Sequence, residues 1–172
     1  MEEMNMREAK QENQKPLFGT KEWANYNINC VTGCSHDCRY CYAKSMAIRF
    51  GRKTLDNWKD EEIRTDQLSK RYMKSKDGKR FMFPSTHDIT PANLSACIQK
   101  LTNLLAPRKE GVIVTKPHFD CIKALCDVFP MFKDQFIFRF TIGSSDSDTL
   151  RFWEPGAPDF EERLASLKYA HW

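Results

Sequence analysis

Gly111-Val112-Ile113-Val114-Thr115 is an unbroken apolar run closed by a threonine, with Glu110 before it and Lys116-Pro117 after it. A strand covered on one face alternates apolar and polar residues, whereas a run without alternation marks a strand buried on both faces, as in a parallel sheet. The flanks agree with that reading. Upstream, Leu94, Cys97, Ile98, Leu101 and Leu105 recur at helical spacing, with Thr90 expected as N-cap and Pro91 as the first helical residue. Downstream, Asp120 to Val128 reads as a helix and Phe136 to Ile142 as a further strand.

Further out the alternation continues. Arg80 to Pro84 is a short apolar run bounded by Gly78 and Pro84, which predicts a strand. Trp23 to Val31 alternates through Trp23, Tyr26, Ile28 and Cys30 and predicts the first strand, followed by a helix from Tyr42 to about Phe50. Gly51 to Arg80 is hydrophilic, with helix expected around Asp60 to Met73. The last helix, Asp159 to Tyr169, opens on a box-like Asp159 and Glu162 and carries an expected core stripe of Phe160, Leu164 and Leu167. About four β/α units result, which specifies an α/β fold with a parallel sheet and right-handed crossovers. Ligands of such folds bind at the carboxyl ends of the strands. The cysteine loop after Val31, Ser85-Thr86-His87-Asp88, Thr115-Lys116-Pro117-His118 and Thr141-Ile142-Gly143-Ser144-Ser145 all fall there.

With 172 residues, 41% of them hydrophobic, the chain can bury one core, and a second domain is not expected. Residues 1–16 are almost wholly polar and read as a tail, leaving 17–172 as the folded unit. That start resembles neither a signal nor a transit peptide, and no apolar run approaches a membrane span, so no membrane partner is expected. Seven cysteines, an odd number without a leader, fit reduced thiols in the cytoplasm. The net charge of +4 permits a nucleic-acid partner without urging one. Lys70, Arg71, Lys74, Lys76, Lys79 and Arg80 form a basic cluster that reads first as a solvated face.

The chemistry is concentrated in Gly33-Cys34-Ser35-His36-Asp37-Cys38-Arg39-Tyr40-Cys41-Tyr42, where three thiols occupy eight residues. Iron-sulfur clusters are held by cysteine thiolates, usually four. Three leave one position to be filled by something else, as a substrate-binding centre requires. Gly33 supplies the backbone freedom for a sharp turn directly before the first thiol. The amides of the following helix, with Arg39 and Lys44, are expected to offset cluster charge. Zinc is the competing reading, because Cys30 brings four sulfurs into twelve residues. Zinc fingers usually separate two ligand pairs by a dozen residues or more, and Cys97, Cys121 and Cys126 are scattered. Cys30 itself reads as a half-buried strand cysteine.

The spacing of Cys34, Cys38 and Cys41, with Tyr40 before the last thiol, resembles the signature of the radical S-adenosylmethionine (radical SAM) superfamily. The strand-end segments, together with Trp153-Glu154-Pro155-Gly156-Ala157-Pro158, are similar to its spore photoproduct lyase-like branch from about Trp23 onward. The resemblance implies that Cys34, Cys38 and Cys41 ligate a 4Fe-4S cluster whose remaining iron chelates S-adenosyl-L-methionine. It further implies that Ser85 holds the cofactor's amino or carboxylate group, that Lys116 pairs with its carboxylate, and that Thr141 bonds the ribose or carboxylate region. Many superfamily members carry Gly-Gly-Glu where this chain has Ser85-Thr86. Reductive cleavage of S-adenosylmethionine to a 5′-deoxyadenosyl radical is the implied activity, with a flavodoxin or ferredoxin type of protein as external electron donor.

Plainer readings remain open beside these roles. Ser85 and Thr86 could turn the chain, Thr141 could be an ordinary strand residue and Lys116 a solvated lysine. His87, Asp88 and His118 are further candidates for substrate contact, and Glu154 is expected to cap or to pair with Arg151. The family core resembles a six-stranded partial barrel and four units are legible here. The chain is therefore expected to be a truncated radical SAM-type partial (β/α) barrel, or to have its sheet completed by a second chain. A zinc-binding nucleic-acid module and an inactive cluster-binding fragment are the alternatives.

Overall fold

A computed structural model describes residues 19–70 and 80–171. The expected tail over residues 1–16, the expected start of the fold near Leu17 and most of the basic cluster, from Arg71 to Lys79, lie outside the described residues.

The run Gly111–Thr115 forms an interior strand of the sheet. In chain order the elements are β1 (Tyr26–Asn27), β2 (Val31–Thr32), α1 (Tyr42–Arg49), β3 (Glu62–Ile63), α2 (Thr65–Leu68), β4 (Phe81–Phe83), α3 (Leu94–Leu105), β5 (Gly111–Thr115), α4 (Phe119–Val128), β6 (Phe136–Phe140), α5 (Ser147–Trp153) and α6 (Phe160–Ala170). Four strands form a parallel sheet in the order β1-β4-β5-β6. Gly111 stands level with Phe81 on one side and Phe136 on the other. A Cβ on Gly111 would come within 2.5 Å of the Phe81 ring, so the close approach of β4 and β5 requires a glycine.

β5 is covered on both faces, as an interior parallel strand must be. Leu101, Leu104 and Leu105 of α3 and Ile122 and Leu125 of α4 join Phe81, Phe83 and Ile113 in the main core. β6 lies at the edge and alternates instead, with Phe136 buried while Ile137 and Arg139 are exposed. The fold is α/β, and the described strands do not close into a barrel. No helix among the described residues is long and apolar enough to cross a membrane.

Several expectations are corrected. The first strand is two residues long, because Asn29 takes over where the ladder would continue: its Oδ1 accepts from Ser85 N at 2.7 Å and Thr86 N at 2.9 Å. Val31–Thr32 then leaves the sheet to pair antiparallel with Glu62–Ile63. Asn93, not Thr90, holds the N-cap position of α3 without a side-chain cap bond, and the helix begins at Leu94 rather than Pro91. The Thr90 hydroxyl is drawn away to Glu61 Oε2 at 2.7 Å, and Thr90 and Asn93 close a turn ahead of the helix. Of the helix expected over Asp60 to Met73, the described part holds only the single turn of α2. α5 was not expected, and Asp146 caps it through a bond from Thr149 N at 2.9 Å.

At α6 the Asp159 cap is as expected, accepting from Glu162 N at 2.9 Å, but the box is not closed, since Glu162 Oε1 accepts from Phe119 N instead. The core side of this helix is also different. Arg163 and Ser166 are its buried residues and Leu167 is exposed.

Candidate functional site

At the carboxyl ends of β4, β5 and β6 the chain encloses a cavity of about 270 Å³ whose lining includes Cys34, Cys38, Cys41, Ser85, Lys116 and Thr141. All six residues singled out from the sequence thus meet on one wall system. Cys30 does not: it is fully buried, not half-buried, and packs in the main core with Cys97.

The cysteine loop is held by residues from most of the fold, position by position. Gly33 has φ +92°, and a Cβ there would lie 2.4 Å from Asp60 O and 2.8 Å from Trp58 O. Cys34 N donates to that same Trp58 carbonyl at 3.0 Å. Ser35 donates through its amide and hydroxyl to Glu61 Oε1 at 2.9 and 2.8 Å. His36 Nδ1 is 3.0 Å from Asp88 Oδ2 and its Nε2 is 2.9 Å from His118 Nε2. Asp37 takes a left-handed φ of 48° and pairs with Lys44 Nζ at 2.6 Å. Arg39 N donates to Trp153 O at 2.9 Å, its Nε donates to Phe152 O at 2.6 Å, and the Tyr40 hydroxyl donates to Glu154. Cys41 ends the loop as the N-cap of α1, its sulfur accepting from Lys44 N at 3.4 Å.

Three sulfurs are therefore presented by a loop whose intervening side chains are already satisfied. Gly33→Ala adds both a backbone penalty and a collision, and we expect it to lower unfolding stability by about 2–4 kcal/mol in urea titrations. A loss under about 0.5 kcal/mol, the range of ordinary surface changes, contradicts this account of the turn.

Behind the loop, Asp88 is the common acceptor. Its Oδ1 receives Thr115 Oγ1 at 2.7 Å and Lys116 N at 2.6 Å, and its Oδ2 faces His36 and, at 3.4 Å, Lys116 Nζ. Burial works against the charge of Asp88, but the bond from His36 and the Lys116 ammonium outweigh it and hold the carboxyl well below its ordinary value. Burial likewise opposes the Lys116 charge, and Asp88 reverses this and raises the amine above the ordinary lysine value. Lys116 is thus a fixed cation on the cavity wall rather than a solvated one. Of the two cations expected to offset cluster charge, Lys44 pairs with Asp37 and Arg39 donates from Nε to Phe152 O.

The other candidates have defined surroundings. Ser85 Oγ accepts from Asn29 Nδ2 at 3.0 Å, and the Tyr42 hydroxyl donates to Ser85 O. Thr141 N continues the ladder to Thr115 O at 2.9 Å. His87 lines the cavity, yet its Nε2 accepts from Cys30 N at 3.3 Å and its Nδ1 faces Asp88 O at 3.0 Å, so both nitrogens are spent on main chain. Burial and the neighbouring His36 hold His118 below the ordinary imidazole value. Glu154 pairs with Arg163 at 2.5 Å, not with Arg151, which lies 3.5 Å from Asp148.

The donor set fits a thiolate-held metal centre. Burial pushes the Cys34 thiol up to about 12 and the Cys38 thiol up to about 11. Without metal both are protonated at neutral pH, so loading must release protons and become more favourable as pH rises. Trp58, on the same cavity wall, has a buried indole Nε1 without an acceptor among the described residues. Cys34, His36 and Asp88 also bring one ligand atom each to within 4.8 Å of one another.

The family described as spore photoproduct lyase matches this chain over residues 14–171. The chain belongs to the spore photoproduct lyase family. Among curated relatives, it is 27% identical over 158 residues to an uncharacterized protein of Methanocaldococcus jannaschii, covering 90% of this chain and 59% of that protein. It is also 27% identical over 165 residues to an uncharacterized protein of Acidianus two-tailed virus, covering 86% of this chain and 51% of that one. The chain thus spans between half and three-fifths of the length of these relatives. No solved structure matches. Family membership supports the lyase-like radical SAM reading of the motif.

Sequence reasoning did not find the anchors of the loop. Glu61 accepts four bonds, from Ser35 twice, Thr90 and Asn93, yet stands in a hydrophilic stretch of ordinary appearance. Trp58, 2% exposed and packed with Cys34, Ala43 and Ala47, was the available signal in that stretch, since a lone tryptophan among charges implies a burial site.

Proposed function

We propose that this chain is a radical SAM enzyme that holds a 4Fe-4S cluster on Cys34, Cys38 and Cys41 and binds S-adenosyl-L-methionine beside it. One observation carries the reading: three cysteines, a serine, a fixed lysine and a threonine from four separate segments line a single cavity at the strand ends. When bound, such a cluster supplies the electron that cleaves S-adenosylmethionine to methionine and a 5′-deoxyadenosyl radical. The protein's own part is orientation and exclusion of water. Lys116, with Asp88 behind it, offers an ammonium to the methionine carboxylate. Ser85 and Thr141 stand on the lining to take further hydrogen bonds. Buried Trp58 and Ala43 form part of that wall. A flavodoxin or ferredoxin type of donor would deliver the electron.

The substrate we infer is a nucleic acid. Tyr40, Phe152 and Trp153 are exposed beside the cavity, and Arg39 lies 4.4 Å over the Phe152 ring. The Phe152 and Trp153 rings stand 5.1 Å apart, and Tyr40 and Trp153 6.4 Å. Exposed aromatic faces with an arginine among them suit base stacking. Trp153→Ala should weaken binding of a single-stranded oligonucleotide by about 1–3 kcal/mol, read by fluorescence anisotropy. Unchanged affinity would remove this rim from the reading. Beyond β6, a further segment or a second chain would extend the sheet.

A metal ion on Cys34, His36 and Asp88 is the second reading, favoured by the closeness of those atoms. Anaerobic purification separates the two. Brown protein with about four irons and matching sulfide per chain supports the cluster; colourless protein carrying zinc overturns it.

A further inference from the structure

The cysteine loop is gripped from the C-terminal side by the segment from Trp153 to Gly156. Glu154 is buried, and its two oxygens serve two walls of the cavity. Oε1 accepts from the Tyr40 hydroxyl on the cysteine loop. Oε2 accepts from Arg163 at 2.5 Å, and Arg163, fully buried, donates onward to Thr141 O at 3.1 Å and Pro158 O at 2.8 Å. Tyr40 and Thr141 both line the cavity.

The same segment latches the loop's backbone directly. Arg39 N donates to Trp153 O at 2.9 Å, and Gly156 N donates to His36 O at 3.0 Å. Gly156 lies so close that a Cβ would fall 2.2 Å from Ser35 O. A buried ion pair gains little stability over an apolar substitute, but it can fix a unique arrangement when every lone pair is used. Here the spare oxygen of the carboxylate is used by Tyr40. The Tyr40 ring also lies 6.0 Å from Lys116 Nζ, so its orientation bears on the cation of the cavity.

We propose that Glu154 is a positioning residue: through Tyr40 and Arg163 it fixes the separation between the cysteine loop and the end of β6, and so the width available to the bound cofactor. The claim that this width serves S-adenosylmethionine rests on the proposed function. The claim that Glu154 sets it does not.

Two measurements on the full chain keep these apart. In metal-free protein, hydrogen–deuterium exchange of the amides from Cys34 to Cys41 should accelerate roughly tenfold in Tyr40→Phe, which removes one hydroxyl from a ring that is half exposed, and also in Glu154→Gln, with β4 and β5 unchanged. In anaerobically reconstituted protein, Tyr40→Phe should keep wild-type iron while its affinity for S-adenosylmethionine, measured by titration calorimetry, falls on the order of tenfold. The double variant Tyr40→Phe/Glu154→Gln should bind no more weakly than the weaker single variant, because the Tyr40 hydroxyl acts only through Glu154. Wild-type exchange rates in Tyr40→Phe, or additive losses of affinity, would overturn the proposal. Should wild-type protein bind no S-adenosylmethionine, the proposed function fails while the exchange result still decides the role of Glu154.

Discussion

Cys38→Ala, purified and reconstituted without air, should retain almost no iron, against about four per chain in the wild type, whereas Cys30→Ala should retain its iron. The difference follows from placement. Cys38 lines the cavity, between Arg39 held by α5 and Asp37 held by Lys44, so its sulfur cannot be replaced by a movement of the loop. Cys30 is only four residues before Cys34, but it faces the main core and Cys97. Its removal costs packing, roughly the 1 kcal/mol of a small core truncation, and no ligand. Equal loss of iron in the two variants would overturn the ligand assignment.

Asp88→Asn should be the most damaging change outside the cysteines. The carboxylate balances Lys116 and accepts from His36, Thr115 and the Lys116 amide, which ties the cysteine loop to the end of β5. Removing one member of a buried charge pair costs about 3–5 kcal/mol. Its pH dependence is distinctive. The folded carboxyl titrates below its ordinary value of 3.8, so its contribution is complete above that pH and is lost as pH falls below it toward the folded value. The stability gap between wild type and Asp88→Asn, measured in urea at a series of pH values, should therefore be constant near neutrality and narrow below pH 3.8. A gap that stays constant down to the lowest pH would mean that Asp88 is not held in its charged form by the fold.

The elements that the sequence made legible are those whose burial is uniform along the chain. β5 needed no alternation to read, and α3 and α4 carry apolar stripes that end in the core. β1 misled because its alternation runs past the strand: Ile28 and Cys30 are buried beyond its end, and Trp23 before it is exposed. Nothing local announces that Asn29 will bond Ser85 and Thr86 across fifty-six and fifty-seven positions. The same limit hid the loop's anchors. A short-range pattern exposes ligands spaced three and four apart, such as Cys34, Cys38 and Cys41. It singled out Asp88 and Glu154 but could not show that they, with Glu61, meet His36, Tyr40 and Ser35 once the chain has folded. α6 shows the converse error: Arg163 takes the interior place because Glu154 awaits it there, while Leu167 faces out.

The central claim is that this cavity joins a three-cysteine cluster to S-adenosylmethionine for reductive cleavage. Iron-loaded chain, mixed anaerobically with dithionite and S-adenosylmethionine, should release 5′-deoxyadenosine and methionine in equal amounts, quantified by liquid chromatography, and Cys38→Ala should release neither. Iron-loaded protein that forms no 5′-deoxyadenosine above the Cys38→Ala background would contradict the account.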